Sequence, residues 1–248
     1  MNRPHYDSIS HVYASARQSS VANSCYYDFW SQTMLDQVPE GIDHARCLDC
    51  MAGSCEMSRV ARLRVGEYHA TDVSMGILRL SEPGTYTRTC ADARCLPYKA
   101  NSFDLVLIRG GLHHIHNTIG QALRETYRVL KPGGWLICVE PADDNPLIRN
   151  LRETLHRVSS LYEEGERGFR RRKLQAALHE TGFTDIAISP FGFLGYTLIG
   201  NTDVFPLLGK LRNQFLIDTL IAFDRLSPGI PGWRLFGLTH LARARALK

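Results

Sequence analysis

The stretch that most constrains this 248-residue chain is Cys47-Leu48-Asp49-Cys50-Met51-Ala52-Gly53-Ser54-Cys55. A short apolar run ends at an acid, turns through small residues and opens into a helical pattern. Such a turn presents free backbone N–H groups and a carboxylate to a single ligand. On its own the pattern is weak. It gains force because two more short runs end in acids downstream: Glu67 to Asp72, and Thr85 to Ala91 followed by Asp92. Asp72 follows Asp49 at about the twenty-residue spacing of a dinucleotide-type β-α-β unit.

The rest of the chain extends this alternation. Arg46 to Asp49 reads as a first strand, with a helix from Gly53 or Ser54 to about Leu63. Glu67 to Asp72 is a second strand and Met75 to Leu80 a short helix. Thr85 to Ala91 is a third strand, and Phe103 to Ile108 a fourth whose unbroken apolar run suits a buried parallel position. Thr118 to Leu130 is a helix stopped by Lys131-Pro132-Gly133-Gly134, and Trp135 to Val139 is a fifth strand ending at Glu140. Residues 145–181 read as helical up to Gly182, Thr184 to Phe193 as a sixth strand, and Leu235 to Ala244 as the last. Strands alternating with helices build right-handed β-α-β units on a mainly parallel sheet, and ligands bind at the carboxyl ends of its strands. Asp49, Asp72, Asp92, Arg109 and Glu140 all fall at such ends. For any one acid a helix cap or loop carboxylate is the simpler reading; three in register favour a site.

Residues 1–38 are aromatic at helical spacing (Tyr6, Tyr13, Tyr26, Tyr27, Phe29, Trp30), which fits either core packing or a covering lid. Residues 194–233 are rich in Gly, Pro and large apolar side chains. Within them Leu211 to Leu226 carries a wide apolar stripe, which is core if buried and suits a greasy substrate or a membrane surface if exposed. The expected organisation is a helical lid over 1–38, a nucleotide-type core over 39–193, an insertion or substrate cap over 194–233, and a final core strand over 234–248.

Composition removes several alternatives. At 44% hydrophobic and 22% charged residues with net charge +4, the chain is ordinary globular, and no nucleic-acid partner is expected. The run Arg170-Arg171-Arg172-Lys173 reads as a solvated helix face, with phosphate contact the lesser reading. No apolar run reaches the roughly 18 residues of a membrane span, and Met1 to His5 has no apolar signal-peptide region. Seven cysteines, several within strand runs (Cys47, Cys90, Cys138), suggest a reducing compartment, hence the cytoplasm. Cys47, Cys50 and Cys55 match no zinc or cluster spacing, so no metal is expected.

At the strand ends, a ligand with a nucleoside and a short charged tail uses these groups directly. Gly53 admits close backbone approach, Asp72 accepts both ribose hydroxyls, and Asp92 accepts from an adenine amine. His113 and His114, after the fourth strand, are the best candidates for a base near neutrality, packed or capping histidines being the plain alternative.

These motifs together resemble the class I S-adenosylmethionine-dependent methyltransferases, and most of all their small-molecule branch that includes quinone-biosynthesis enzymes. The likeness covers about residues 40–140. It rests on Cys47-Leu48-Asp49 through Gly53; Ala70-Thr71-Asp72-Val73-Ser74; Ala91-Asp92-Ala93 with Leu96-Pro97; Ser102 to Val106; Leu112-His113-His114-Ile115; and Glu125 with Arg128 to Gly134. The resemblance implies a Rossmann-like seven-stranded, mostly parallel sheet with helices on both faces and the last strand antiparallel. It implies S-adenosylmethionine as cofactor and methyl transfer to a small molecule in biosynthesis or secondary metabolism, and the apolar region 194–233 suggests a hydrophobic or extended acceptor. The implied cofactor positions are Asp49, Met51, Gly53, Asp72, Val73, Asp92, Ala93 and Arg109, with Tyr13 and Arg17 of the covering segment closing over the methionyl carboxylate. Arg109, Glu140, Tyr6 and Tyr13 are available to shape an acceptor pocket. The family's three loop glycines, however, read here as Met51, Gly53 and Cys55. That change leaves a moved loop, an unusual cofactor pose, or loss of binding. It also admits a rival chemistry in which the methionyl arm cyclises and releases methylthioadenosine, or a scaffold role in which no group is transferred.

Overall fold

The computed structural model describes residues 20–39, 41–81, 84, 86–158, 167–201, 204–232 and 235–248. In chain order the elements are α1 (Val21–Leu35), β1 (Arg46–Cys50), α2 (Ser58–Ala61), β2 (Glu67–Asp72), α3 (Met75–Leu78), β3 (Thr87–Cys90) and β4 (Phe103–Arg109). A 3-10 segment (Leu112–Thr118) leads into α4 (Ile119–Val129) and β5 (Leu130–Pro141). There follow α5 (Pro146–Val158), α6 (Arg171–Thr181), β6 (Thr184–Phe191), α7 (Pro206–Gly209), α8 (Gln214–Leu226) and β7 (Thr239–Arg245).

One seven-stranded sheet runs β3-β2-β1-β4-β5-β7-β6. The first five strands in that order pair parallel, and β7 is antiparallel to both β5 and β6. The order reverses at β1 and β4, which opens a crevice at their carboxyl ends. Alternate residues of the central strands face two apolar layers: Cys47, Leu105, Leu107 and Ile137 one, Leu48, Val106, Ile108 and Cys138 the other. The seven-stranded Rossmann-like fold with an antiparallel last strand is thus as expected.

Several boundaries differ from the expectation. The helix after β1 does not begin at Gly53 or Ser54. Residues 51–57 form turns and only Ser58–Ala61 is helical. Met51, Gly53 and Cys55 have φ of 63°, 56° and 60°, and a right-handed helix cannot run through left-handed residues. β5 begins at Leu130, before the glycine pair, because Gly134 lets the chain pass close to β4: a Cβ there would lie 3.0 Å from the Asp104 carbonyl oxygen. β3 and β7 start later than read from the sequence.

α1 is largely buried: Tyr26 and Trp30 pack with Tyr196, Trp30 also with Phe191, and Met34 is fully buried. Residues 1–19, including Tyr6, Tyr13 and Arg17, lie outside the described residues.

Candidate cofactor and acceptor site

Register brings the strand-end groups to one rim. Asp49 stands opposite Ala70 and Leu107, Asp72 opposite Cys90, and Arg109 opposite Val139, next to Glu140. Parallel neighbours in register point the same way, so Asp49, Tyr68, Ala70 and Asp72 share a face.

Asp72 is buried and already engaged. Its Oδ2 accepts the Gly53 N–H at 3.0 Å and its Oδ1 the Ser74 N–H at 2.9 Å. Burial pushes its carboxyl up, against the pull of those donors and of His114. The acid therefore fixes the β1 loop to the end of β2, and its remaining lone pairs are the ones a ribose would use. Val73 follows it, and its carbonyl accepts from the Cys90 thiol.

Asp49 is more enclosed. Its Oδ2 accepts the Tyr68 hydroxyl proton at 2.5 Å. Burial pushes its carboxyl up to about 7, opposed by the Tyr68 hydrogen bond and the Arg109 cation. Tyr68, itself buried and held well above its ordinary range, stays a donor. Near neutrality Asp49 is thus poised between its two forms, and a nearby cationic ligand selects the carboxylate.

The loop between these acids keeps a glycine-like backbone without the glycines. Left-handed backbone costs a side-chain-bearing residue about 1–2 kcal/mol. Packing offsets this at both positions: Met51 is 8% exposed and Cys55 1%. Met51 leans on Gly111 so closely that a Cβ there would lie 2.7 Å from its sulfur.

Arg109 closes the rim toward α1. Its guanidinium lies 4.3 Å over the Tyr27 ring and pairs with Glu56 at 2.6 Å, while Glu56 also accepts from the Ser54 hydroxyl. The second terminal nitrogen, Nη1, is buried and has no hydrogen-bond partner among the described residues. Asp92 has a partner the sequence reading did not foresee. The Arg94 guanidinium grips it at 2.6–3.1 Å and holds its carboxyl below the usual range. An adenine amine would share Asp92 with that fork. Ala93 beside it is buried.

On the acceptor side, Glu140 is fully buried. The reading of it as a pocket-shaping residue gives way to another role. Its carboxylate accepts the N–H groups of Gly111, Leu112 and His113 at 3.0, 2.8 and 3.2 Å, and lies 2.9 Å from His113 Nδ1. A carboxylate at that distance accepts a hydrogen bond from Nδ1–H, which makes Nε2 the lone-pair nitrogen of neutral His113. The His114 ring stands 4.0 Å away, centroid to centroid. Tyr68, Glu56 and Arg94 were missed from the sequence. Tyr68 and Asp72 sit four apart in one strand, so strand period two was the available signal for Tyr68.

The sheet order, with β7 antiparallel between β5 and β6, is that of the Rossmann-like methyltransferase fold. Comparison with known proteins agrees. Residues 48–138 match the family model described as "Methyltransferase domain". A demethylmenaquinone methyltransferase of Lactiplantibacillus plantarum is 32% identical over 155 residues, covering 58% of this chain. The chain spans 64% of that relative's length. A SAM-dependent methyltransferase from Thermotoga maritima superposes with TM-score 0.67 at 16% identity, over 98% of this chain and 99% of that one. Haemonchus contortus phosphoethanolamine N-methyltransferase 2, solved with S-adenosyl-L-methionine, gives 0.60 at 20% identity over 88% of this chain and 52% of that one. The last two likenesses concern the fold. Residues 48–138 thus match a methyltransferase domain, carried on a fold shared with S-adenosylmethionine-dependent methyltransferases of known structure.

Proposed function

We propose that the chain transfers a methyl group from S-adenosylmethionine to a small, apolar acceptor of the quinol class. The observation that carries the reading is the rim itself. Asp49, Asp72 and the Gly53 loop stand on one side, and the Glu140–His113 pair stands on the other. The acceptor class is suggested by the demethylmenaquinone methyltransferase relative.

When bound, the cofactor supplies a methyl group already activated on a sulfonium, so the protein's work is chiefly alignment. Asp72 and Asp92 would hold the nucleoside, and Asp49 would meet the cationic methionyl end. The left-handed loop at Met51, Gly53 and Cys55 keeps the backbone shape such a ligand needs. His113 Nε2, oriented through Nδ1 by Glu140, takes the acceptor's hydroxyl proton and so raises the electron density of the ring carbon beside it. His114 is placed to assist. Arg109, with one buried nitrogen unpaired among the described residues, is placed to receive an oxygen of either partner. A biosynthetic role in the reducing cytoplasm is in keeping with seven free cysteines, four of them buried.

Mass spectrometry of the purified chain with S-adenosylmethionine and a reduced naphthoquinol tests this. S-adenosylhomocysteine together with a methylated quinol is expected. Methylthioadenosine formed without any acceptor would replace methyl transfer by internal displacement, and a cofactor that stays intact with every acceptor would favour a scaffold role.

A further inference from the structure

The helix α8 faces the wrong way for a protein that ends at its own surface. Phe215, Ala222 and Leu226 lie at steps of seven and four residues, within about 40° of one another on a helical projection. All three are exposed, Phe215 at 76% and Leu226 at 67%. The opposite face carries the buried Ile217 and Asp224. The polar residue is thus inside and the aromatic one outside.

Rotation cannot correct this. The Asp224 carboxylate accepts the Tyr26 hydroxyl at 2.7 Å and the Tyr196 N–H at 2.9 Å. Tyr26 is a fully buried residue of α1. Turning α8 to bury Phe215 would carry a carboxylate away from two donors and leave those donors unsatisfied, at greater cost than the exposed ring. The flanking segments extend the apolar surface with exposed Leu207 and Ile230.

Charge selects the occupant. Lys210 and Arg212 are exposed in the segment before α8, and Arg225 of α8 is exposed with its guanidinium 5.4 Å from the Phe29 ring centre, against one exposed acid, Asp218, over residues 210–226. Two copies of such a face would meet cation to cation in a two-fold contact. An anionic lipid surface offers apolar depth for the ring and leucines and counter-charge for the cations. No helix among the described residues is long and apolar enough to cross a membrane, so the contact is peripheral. The geometry points to α8 and its flanks as a docking face for the surface of an anionic bilayer. That placement goes beyond the methyl-transfer reading and does not depend on it.

Co-sedimentation of the full chain with vesicles tests the proposal. Binding is expected to vesicles of equal parts phosphatidylcholine and phosphatidylglycerol, to weaken with salt, and to be slight on phosphatidylcholine alone. The double variant Phe215→Ser, Leu226→Ser should bind at least about tenfold less, and Lys210→Glu with Arg212→Glu should lose the salt dependence. These side chains stand in solvent, so each variant should keep its thermal midpoint and its S-adenosylmethionine affinity, read separately by calorimetry. Equal pelleting of the wild type and the serine variant would overturn the proposal. So would absence of binding to the anionic vesicles at low salt. A wild-type dimer in sedimentation equilibrium that the serine variant splits would assign the face to a second copy instead. Vesicle binding by a chain that takes up no S-adenosylmethionine would leave the docking face standing and remove the proposed activity.

Discussion

The loop leaving β1 and the loop leaving β4 touch at Met51 and Gly111, yet they are held by different means. After β4, a buried carboxylate from the neighbouring strand collects three successive backbone N–H groups and a ring nitrogen. After β1, side chains force the shape. Two residues with side chains sit in left-handed backbone, and burial of those side chains keeps them there. The first device is electrostatic and stiff. The second stores strain of about 1–2 kcal/mol per residue. A site assembled from both has a firm acceptor wall and a cofactor wall whose shape depends on packing.

The largest effect should come from the electrostatic side. Glu140→Gln keeps one acceptor oxygen but turns a second donor toward N–H groups that need acceptors. Stability should fall by about 1–3 kcal/mol, and kcat by about 10²-fold as His113 loses its fixed tautomer. Turnover at fixed cofactor concentration, with the thermal midpoint measured alongside, checks both. If kcat survives while the midpoint falls, Glu140 only shapes the loop and His113 is not the base.

How much of this contrast was legible beforehand differs between the two loops. Arg109 and Glu140 were placed at strand ends from apolar runs, because a parallel strand buried on both faces leaves a plain trace in the sequence, and Asp49 and Asp72 from their mutual spacing. The β1 loop was not legible. Hydrophobic spacing carries no record of φ, and Gly53-Ser54 reads as a helix start whether or not Cys55 is left-handed. Glu140 was found but misassigned, since burial and hydrogen-bond partners depend on the β4–β5 pairing. The Arg94 fork on Asp92 was not legible either, because strand-end spacing places an acid without showing which neighbouring loop cation folds back onto it.

A second test compares the walls by pH. Burial pushes the Asp49 carboxyl up to about 7. A cationic ligand end binds the carboxylate form, so below that pH a proton must leave before binding. The apparent affinity for S-adenosylmethionine should therefore fall by about tenfold from pH 8 to pH 6 and level off above 8. Tyr68→Phe removes a donor that holds this carboxyl down, so the midpoint should move to higher pH. Asp49→Asn should flatten the curve. Calorimetric titration across the range decides; an unchanged midpoint in Tyr68→Phe would mean that the hydroxyl does not govern this acid.

The smallest effects belong to the strained loop, and they separate its two side chains. Cys55→Gly releases left-handed strain while giving up a small buried group, so the two terms should nearly cancel or leave a gain of up to about 1 kcal/mol. Met51→Gly releases the same strain but surrenders a long side chain whose burial contributes about 1.5–3 kcal/mol. It should therefore lose up to about 2 kcal/mol, and it opens the space beside Gly111. If the Met51 side chain narrows the cofactor channel, Met51→Gly tightens S-adenosylmethionine binding severalfold despite the lower stability, and Cys55→Gly leaves it alone. Should both variants bind as the wild type does, the loop's backbone rather than its side chains sets the fit, and the lost glycines were replaced without consequence for the ligand.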